Sequence, residues 1–135
     1  MNQPFMEHPT GAFETAVAAM TDAIARLRQT ARWPAAIVFN AQGYGGKPDT
    51  YRFEDVKLQG HSAFVDGGPI DLPAVRTRAG VPPTAIVAAG SGYSLEGATP
   101  AEAAAVLDAI FRCHFGITPF PDEGDDYAVG AEWAE

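Results

Sequence analysis

Residues 36–47 have the sequence AIVFNAQGYGGK, in which an apolar run is followed by glycines and a lysine. A phosphate-binding loop has the pattern GxxxxGK followed by Ser or Thr, and it opens a helix that faces the phosphates. Gly46 and Lys47 fit that pattern. Ala41, however, occupies the position of its first glycine, and Pro48 occupies the position of the hydroxyl that binds Mg²⁺. The sequence after the loop also predicts a strand, so no nucleotide cofactor is expected.

A second glycine-rich stretch, GSGYSLEG at residues 90–97, contains two serines. A nucleophilic serine on a strand-to-helix turn has a glycine two residues before it and another two residues after it. Neither Ser91 nor Ser94 has both glycines. A serine hydrolase also needs a histidine and a carboxylate nearby, and no spacing rule connects His61 to either serine. Whether the chain is an enzyme stays open, and the absence of a complete motif favours a non-enzymatic role.

Cysteine and histidine show no spacing that predicts a nucleophile or a metal site. Cys113 and His114 are adjacent, and adjacent helical residues point about 100° apart, so they cannot form a dyad with each other. Cys113 continues an apolar helix stripe and is expected to be buried. The three histidines are scattered, and the run PDEGDDY lacks the alternating ligands of a calcium loop. No metal cofactor is predicted.

The negative charge is concentrated at the C-terminal end of the sequence. The net charge is −8, from 17 acidic and 9 basic residues, and residues 118–135 contain six carboxylates and no lysine or arginine. Tyr and Trp are common hot-spot residues of interfaces, and carboxylates steer a basic partner during encounter. We therefore predict a partner-binding segment made of Asp122, Glu123, Asp125, Asp126, Tyr127 and Trp133.

Hydrophobic spacing predicts three helices. The first spans about residues 10–31, because apolar side chains recur every three or four residues within it. A short helix is expected at 71–78, with Asp71 as its N-cap. The last helix begins at the capping box formed by Thr99 and Glu102, and it ends before Gly116.

Short apolar runs predict the strands. Residues 35–39 and 84–89 are expected to be buried strands, and 61–65 is expected to return from a strand at 51–58. In that strand Tyr51 and Phe53 share one face, whereas Val56 and Leu58 belong to the other. A bulge near residues 54–55 would reconcile the two phases.

The order of these elements predicts an α+β fold. We expect a mixed β-sheet of four to five strands packed against the N-terminal and C-terminal helices as a two-layer sandwich. Residues 1–9 are expected to be a flexible N-terminus, 10–117 a single α+β domain, and 118–135 an acidic segment that either is solvated or packs as an edge strand. If the strands at 36–38 and 85–87 are neighbours, the two glycine-rich loops leave the sheet at the same end.

Composition limits the cellular setting. The apolar fraction of 47% fits a globular domain. The N-terminus lacks the pattern of a secretory signal, no apolar run is long enough to span a bilayer, and a single cysteine cannot form an internal disulfide. These features predict a cytoplasmic protein, and the high Ala, Gly, Pro, Asp and Arg content is typical of a bacterial one. Nucleic acid and anionic membranes are not expected partners, because both require a basic patch.

Two functions of different classes are consistent with these features. In size, charge and expected compartment, the chain resembles small acidic immunity or antitoxin-type proteins that bacteria use against basic toxins. That resemblance implies a protein-binding module that inhibits a basic partner. The alternative is a small-molecule-binding or enzymatic domain with a site between loops 40–50 and 90–97. Its cleft would be lined by Tyr44, Lys47, His61, Tyr93 and Ser94. A homodimer is a further alternative.

Overall fold

A computed structural model describes residues 15–29, 36–44, 51–118 and 127–134. The helices are α1 (Ala16–Gln29), α2 (Leu72–Ala79) and α3 (Pro100–Ala109). A turn of 3₁₀ helix spans Pro83–Ala85, and a π-helical turn, Ile110–His114, continues α3. The strands are β1 (Ala36–Tyr44), β2 (Tyr51–Gln59), β3 (Ser62–Val65), β4 (Val87–Ala89), β5 (Gly92–Ser94) and β6 (Ala128–Ala134).

All six strands form one sheet in the order β4-β5-β3-β2-β1-β6, and every neighbouring pair is antiparallel. The predicted α+β class is confirmed. The prediction of a mixed sheet with four to five strands is wrong. The expected strand at 84–89 is shortened to β4, because its first residues belong to the 3₁₀ turn. Part of the predicted GSGYSLEG loop forms β5, which pairs with β4 across a turn at Gly90–Ser91.

The expected bulge in β2 is absent from its pairing with β1. The register is continuous from Ala36 opposite Gln59 to Tyr44 opposite Tyr51. The change of hydrophobic phase has another cause. Val56 and Leu58 point into the core, whereas Phe53 alternates to the opposite face, where 57% of it is exposed. The break in the hydrophobic alternation of β2 therefore reflects an aromatic side chain, Phe53, that is exposed.

β1 is longer than expected and includes half of the predicted loop. Gly43 lies within it, opposite Arg52. A Cβ on Gly43 would collide with the carbonyl oxygen of Thr118 and lie 2.8 Å from Cγ2 of Ile117. This glycine is therefore required for the close approach of a neighbouring segment.

The core lies on one side of the sheet, where α1 contacts α3, β1 and β6. The buried strand side chains on that side are Ile37, Phe39, Ala41, Val56, Leu58, Ala63 and Val129. From α1 they meet Met20, Ile24 and Leu27.

The end of α3 differs from the predicted helix. The capping box between Thr99 and Glu102 is present, with both hydrogen bonds. The π-helical turn that follows shifts the side-chain phase, because each of its turns contains one more residue than an α-helical turn. Phe111 is buried as a result and Cys113 is exposed, so the expectation of a buried thiol is wrong.

Candidate functional site

The predicted C-terminal binding segment is divided by the structure. Asp122, Glu123, Asp125 and Asp126 lie outside the described residues. Tyr127 is buried, and its hydroxyl donates a hydrogen bond of 2.7 Å to Oδ1 of Asp108. Tyr127 therefore belongs to the core and does not offer an exposed ring to a partner.

Tyr127 is one member of a polar cluster that fastens the C-terminal strand to α3. Nε of Arg112 lies 3.0 Å from Oδ1 of Asp108, and the Arg112 guanidinium lies 5.0 Å from the centre of the Tyr127 ring. The Asp108 carboxylate thus accepts a hydrogen bond from the Tyr127 hydroxyl and also forms a salt bridge with Arg112. Trp133, by contrast, is partly buried on the core side of β6, opposite Ile37.

The described ends of the two glycine-rich stretches, Tyr44 and Tyr93, lie far apart in the sheet. Tyr93 pairs with Ala63, whose partner Leu58 pairs with Ile37 of β1. Tyr44 lies seven residues farther along β1, three strands away from β5. At about 3.4 Å per residue and 4.8 Å per strand, the Cα atoms of Tyr44 and Tyr93 are on the order of 25 Å apart. Lys47 lies outside the described residues.

Ser94 does not share a face of the sheet with Tyr93, and His61 lies in a turn. Adjacent strand residues point to opposite faces, so Ser94 faces away from the Tyr93 side chain. Its Oγ accepts a hydrogen bond of 3.2 Å from the amide of Glu96. His61 is exposed in the turn between β2 and β3, and its carbonyl accepts from the amide of Leu95 at 2.7 Å. The structure thus does not gather these residues into one cleft.

A separate cleft of about 410 Å³ lies beside Tyr93, between the chain leaving β3 and the β4–β5 turn. The Tyr93 hydroxyl accepts a hydrogen bond of 3.0 Å from the amide of Ile70, which holds the first of these segments in place. The cleft wall is mostly main chain and small side chains, namely Val65, Asp66, Gly67, Gly68, Pro69, Ala88, Gly90, Ser91 and Gly92.

The face of the sheet opposite the core carries the exposed large apolar side chains; we call it the open face. Phe53, Phe64 and Val87 are 57%, 38% and 41% exposed. Each belongs to the open face by register, because Phe53 lies opposite Gln42, Phe64 opposite Lys57 and Val87 opposite Ser94. Directly opposed residues of paired strands share a face, so three strands contribute to one surface.

These three side chains follow a diagonal across the sheet. Phe64 is about 15 Å from Phe53 and about 12 Å from Val87 at standard strand spacing. Phe64 also covers Gly92, because a Cβ on that glycine would lie 3.1 Å from the Phe64 ring. The diagonal spans about 25 Å in all.

Polar side chains fill the open face beside the diagonal. Nδ2 of Asn40 donates to Oδ1 of Asp55 at 2.5 Å, and Nε2 of Gln42 donates to Oδ1 of Asn40 at 3.1 Å. Lys57 and Glu132 flank Val38 on the same row. An apolar diagonal with a hydrogen-bonded polar border has the composition of a protein-binding surface.

Most of the described cations have partners within the molecule. Arg28 donates to the carbonyls of Leu95 and Ala98, and burial lowers its pKa. Arg76 donates to the carbonyl of Ile86 at 2.6 Å, and Arg52 to that of Phe115 at 2.9 Å. Arg26 and Arg112 pair with carboxylates on their own helices. These cations hold loops and helices in place, and the net negative charge follows from the 17 acidic against 9 basic residues of the sequence.

Comparison with family models, curated proteins and solved structures found no significant match. The function therefore has to be argued from the site. The described part of the chain contains no cluster of three metal-ligating side chains and no helix that could cross a membrane.

The sequence contains one signal for the open face. Phe53 is out of phase with Val56 and Leu58, and this mismatch predicts either a bulge or, as the structure has it, an exposed aromatic side chain. Phe64 and Val87 were predicted only as members of strands. Their common face depends on the strand order, which local periodicity does not determine.

Proposed function

We propose that this protein is a protein-binding module whose docking surface is the open face of the sheet. The observation that carries the proposal is the position of Phe53, Phe64 and Val87, which all belong to that face. We infer a two-layer arrangement in which the helices cover one side of the sheet and leave the other for a partner. Exposed aromatic side chains with a polar border have the composition of an interaction surface.

The size of the surface supports a protein partner over a small ligand. A stable interface uses about 800 Å² of each partner, which is a patch about 30 Å across. The apolar diagonal, about 25 Å long, matches that dimension. It also runs over the regular part of the sheet, so the docking surface would be rigid before binding and would lose little entropy on association.

The charge supports a basic partner. The net charge is −8, and the described cations are mostly bound to groups within the molecule. A negative field accelerates encounter with a positively charged protein and repels nucleic acid. An acidic, cytoplasmic inhibitor of a basic bacterial protein, of the immunity or antitoxin kind, is the role that fits these properties.

Recognition would then divide between two parts of the chain. The open face would supply the apolar anchors, and Asp122, Glu123, Asp125 and Asp126 would supply steering charge. Tyr127 would act indirectly, because its hydrogen bond to Asp108 fastens the start of β6 to α3.

The proposal can be tested with a pair of charge reversals. The partner is first co-purified from the source cells and identified, and its affinity is then measured by calorimetry at several salt concentrations. Asp55→Lys places a positive charge on the open face, and Asp66→Lys makes the same charge change at an exposed position in the segment after β3. We expect Asp55→Lys to weaken binding by at least tenfold and Asp66→Lys to weaken it only through the change in net charge.

Equal effects of the two substitutions would contradict docking on the open face. A partner whose affinity does not change with salt would contradict the charge argument. The acidic segment is tested separately by replacing its four carboxylates with amides. Truncation is unsuitable, because removal of residues 118–135 would also remove the buried Tyr127 and strand β6.

A second candidate function is the binding of a small polar molecule in the cleft beside Tyr93. Its volume of about 410 Å³ is within the range of ligand sites. The main chain of the glycine turns, the Asp66 carboxylate and the Ser91 hydroxyl would favour a neutral or cationic ligand. This site replaces the predicted cleft between loops 40–50 and 90–97, whose two tyrosines are too far apart to share it.

The second function can be tested with a substitution that fills the cleft. Ala88→Phe places a ring in the cleft wall, whereas Val87→Phe places one on the opposite face of the same strand. A cleft ligand found by a thermal-shift screen should bind the Val87→Phe variant and lose affinity for the Ala88→Phe variant. Binding that survives both substitutions would locate the ligand elsewhere.

A further inference from the structure

The wall of the cleft beside Tyr93 narrows the class of ligand that the cleft can take. Each of its ten residues belongs to the described part of the chain, and Asp66 is the only charged residue among them. An anion would therefore lose water in the cleft without meeting a cationic side chain of the wall, which is unfavourable. A cation would meet a carboxylate, so charge complementarity favours a positively charged ligand.

The segment that carries Asp66 is held from two sides. Nε2 of His114 lies 2.9 Å from the main-chain carbonyl oxygen of Asp66, and the Tyr93 hydroxyl accepts from the amide of Ile70 at 3.0 Å. A carbonyl oxygen can only accept, so Nε2 of His114 is the donor. Gly67 has a φ of 91°, and a Cβ on it would lie 3.1 Å from that nitrogen. These contacts use the main chain of Asp66 and not its carboxylate, so its charge can be removed without releasing the segment.

The polar groups of the wall suit an ammonium group. Such a group has three N–H donors and no acceptor, so it requires several acceptors in one place. The wall contains the carboxylate of Asp66, the hydroxyl of Ser91 and the main-chain carbonyls of three glycines, which no side chain of their own covers, at Gly67, Gly68 and Gly90. The wall therefore combines a counter-charge with further acceptors.

The remainder of the wall suits a short hydrocarbon chain. Val65, Pro69 and Ala88 contribute aliphatic side chains, and Tyr93 contributes an aromatic one. The volume of about 410 Å³ is near the lower end of the range of ligand sites, so the cleft fits a small molecule. An aliphatic amine matches both parts of the wall, because its ammonium group needs acceptors and its chain needs apolar contacts.

We propose that the cleft binds a small aliphatic primary amine, with its ammonium group at Asp66 and its hydrocarbon chain against the aliphatic side chains of the wall. This inference rests on the second candidate function and names the ligand class of that site. It is independent of docking on the open face. Ala88 of the cleft wall and Val87 of the open face are adjacent strand residues, so they point to opposite sides of the sheet.

The test compares an amine with a neutral molecule of similar shape. n-Butylammonium chloride and 1-butanol are titrated into the full chain at constant ionic strength, and the amide signals are followed by nuclear magnetic resonance. We expect n-butylammonium to bind with a dissociation constant on the order of millimolar and to shift the signals of Gly67, Gly68 and Ser91. 1-Butanol should bind at least about tenfold more weakly, because it lacks the charge that pairs with Asp66.

Two substitutions of similar shape locate the charge that the amine recognises. Asp66→Asn removes the carboxylate and keeps the main-chain contact with His114, and it should weaken n-butylammonium binding about tenfold. Glu96→Gln makes the same change in net charge at an exposed residue outside the wall. It should change the dissociation constant by less than about twofold.

The absence of saturable n-butylammonium binding at the cleft would overturn the proposal. Equal weakening by Asp66→Asn and Glu96→Gln would overturn it too, because the amine would then respond only to net charge. Binding of 1-butanol as tight as that of n-butylammonium would also contradict the amine class. These failures are distinct from failure of the second candidate function. A screened molecule that binds wild type and not Ala88→Phe would still show that the cleft is a ligand site.

Discussion

The two faces of the sheet differ in what their residues do. On the core side, Ile37, Phe39 and Leu58 are at most 1% exposed and meet the helices. On the open face, Phe53 and Phe64 are also large and apolar, yet they remain accessible among polar neighbours. The first face is explained by folding, since burial of apolar surface stabilises the domain. The exposed rings of the second face contribute little to folding, and this difference is the basis of the docking surface that we propose.

The comparison predicts that substitutions on the core side reduce stability and substitutions on the open face reduce binding. The largest effect is expected at Tyr127. Tyr127→Ala should lower the free energy of unfolding by about 4 kcal/mol, because it removes a buried ring and its hydrogen bond to Asp108. Urea denaturation measures this loss. Tyr127→Phe retains the ring and should cost only about 1 kcal/mol; equal losses would show that the ring contributes little.

A smaller loss of stability is expected at Gly43. Gly43→Ala should destabilise by about 2 kcal/mol, because its methyl group has to displace the segment at Ile117 and Thr118. The matched control is Gly130→Ala, whose methyl group enters open space and should change stability by less than about 0.5 kcal/mol. Thermal unfolding of the two variants checks this contrast, and similar melting temperatures would contradict the packing described for β1.

A still smaller loss is expected at Arg28. Its planar guanidinium donates to two carbonyls in the segment before α3, and an ammonium group cannot reproduce that fork. Arg28→Lys should cost about 1 kcal/mol. Arg26→Lys on the same helix changes an exposed ion pair with Asp22 and should cost almost nothing. Equal losses of unfolding free energy in chemical denaturation would show that the two hydrogen bonds of Arg28 do not stabilise the fold.

The smallest effect on stability is expected on the open face. Phe53→Ser should leave the free energy of unfolding within about 0.5 kcal/mol of wild type, because more than half of the side chain is already in water. Calorimetry should nevertheless show at least a tenfold loss of partner affinity. A loss of stability comparable to that of Tyr127→Ala would contradict the claim that side chains on the open face contribute little to stability.

The core side could be predicted from sequence because its determinants are local. The α1 stripe of Met20, Ile24 and Leu27 follows helical spacing, and the capping box of α3 is a pattern of four adjacent residues. The number of strands was harder to predict. The Gly90–Ser91 turn divides a short segment into two three-residue strands, too short for alternation to distinguish them.

The candidate site could be predicted only in part, because it depends on long-range pairing. The repeated AIV and GY motifs suggested two neighbouring strands, but Ile37 lies in β1 and Ile86 precedes the distant edge strand β4. Tyr127 follows a run of acidic residues, which predicts an exposed ring, whereas it is buried and its hydroxyl binds Asp108 on a distant helix. Helical periodicity predicts a buried Cys113 only if the α-helix is uninterrupted. A π-helical turn follows α3, and Cys113 is exposed.

The central claim, that the open face is the docking surface, is tested most directly by photo-crosslinking in the source cells. A benzophenone amino acid is placed at Phe53 on the open face in one strain and at Arg78, an exposed residue of α2, in another. We expect a strong covalent adduct with one protein from position 53 and none with that protein from position 78. The same adduct from position 78, with none from position 53, would contradict it.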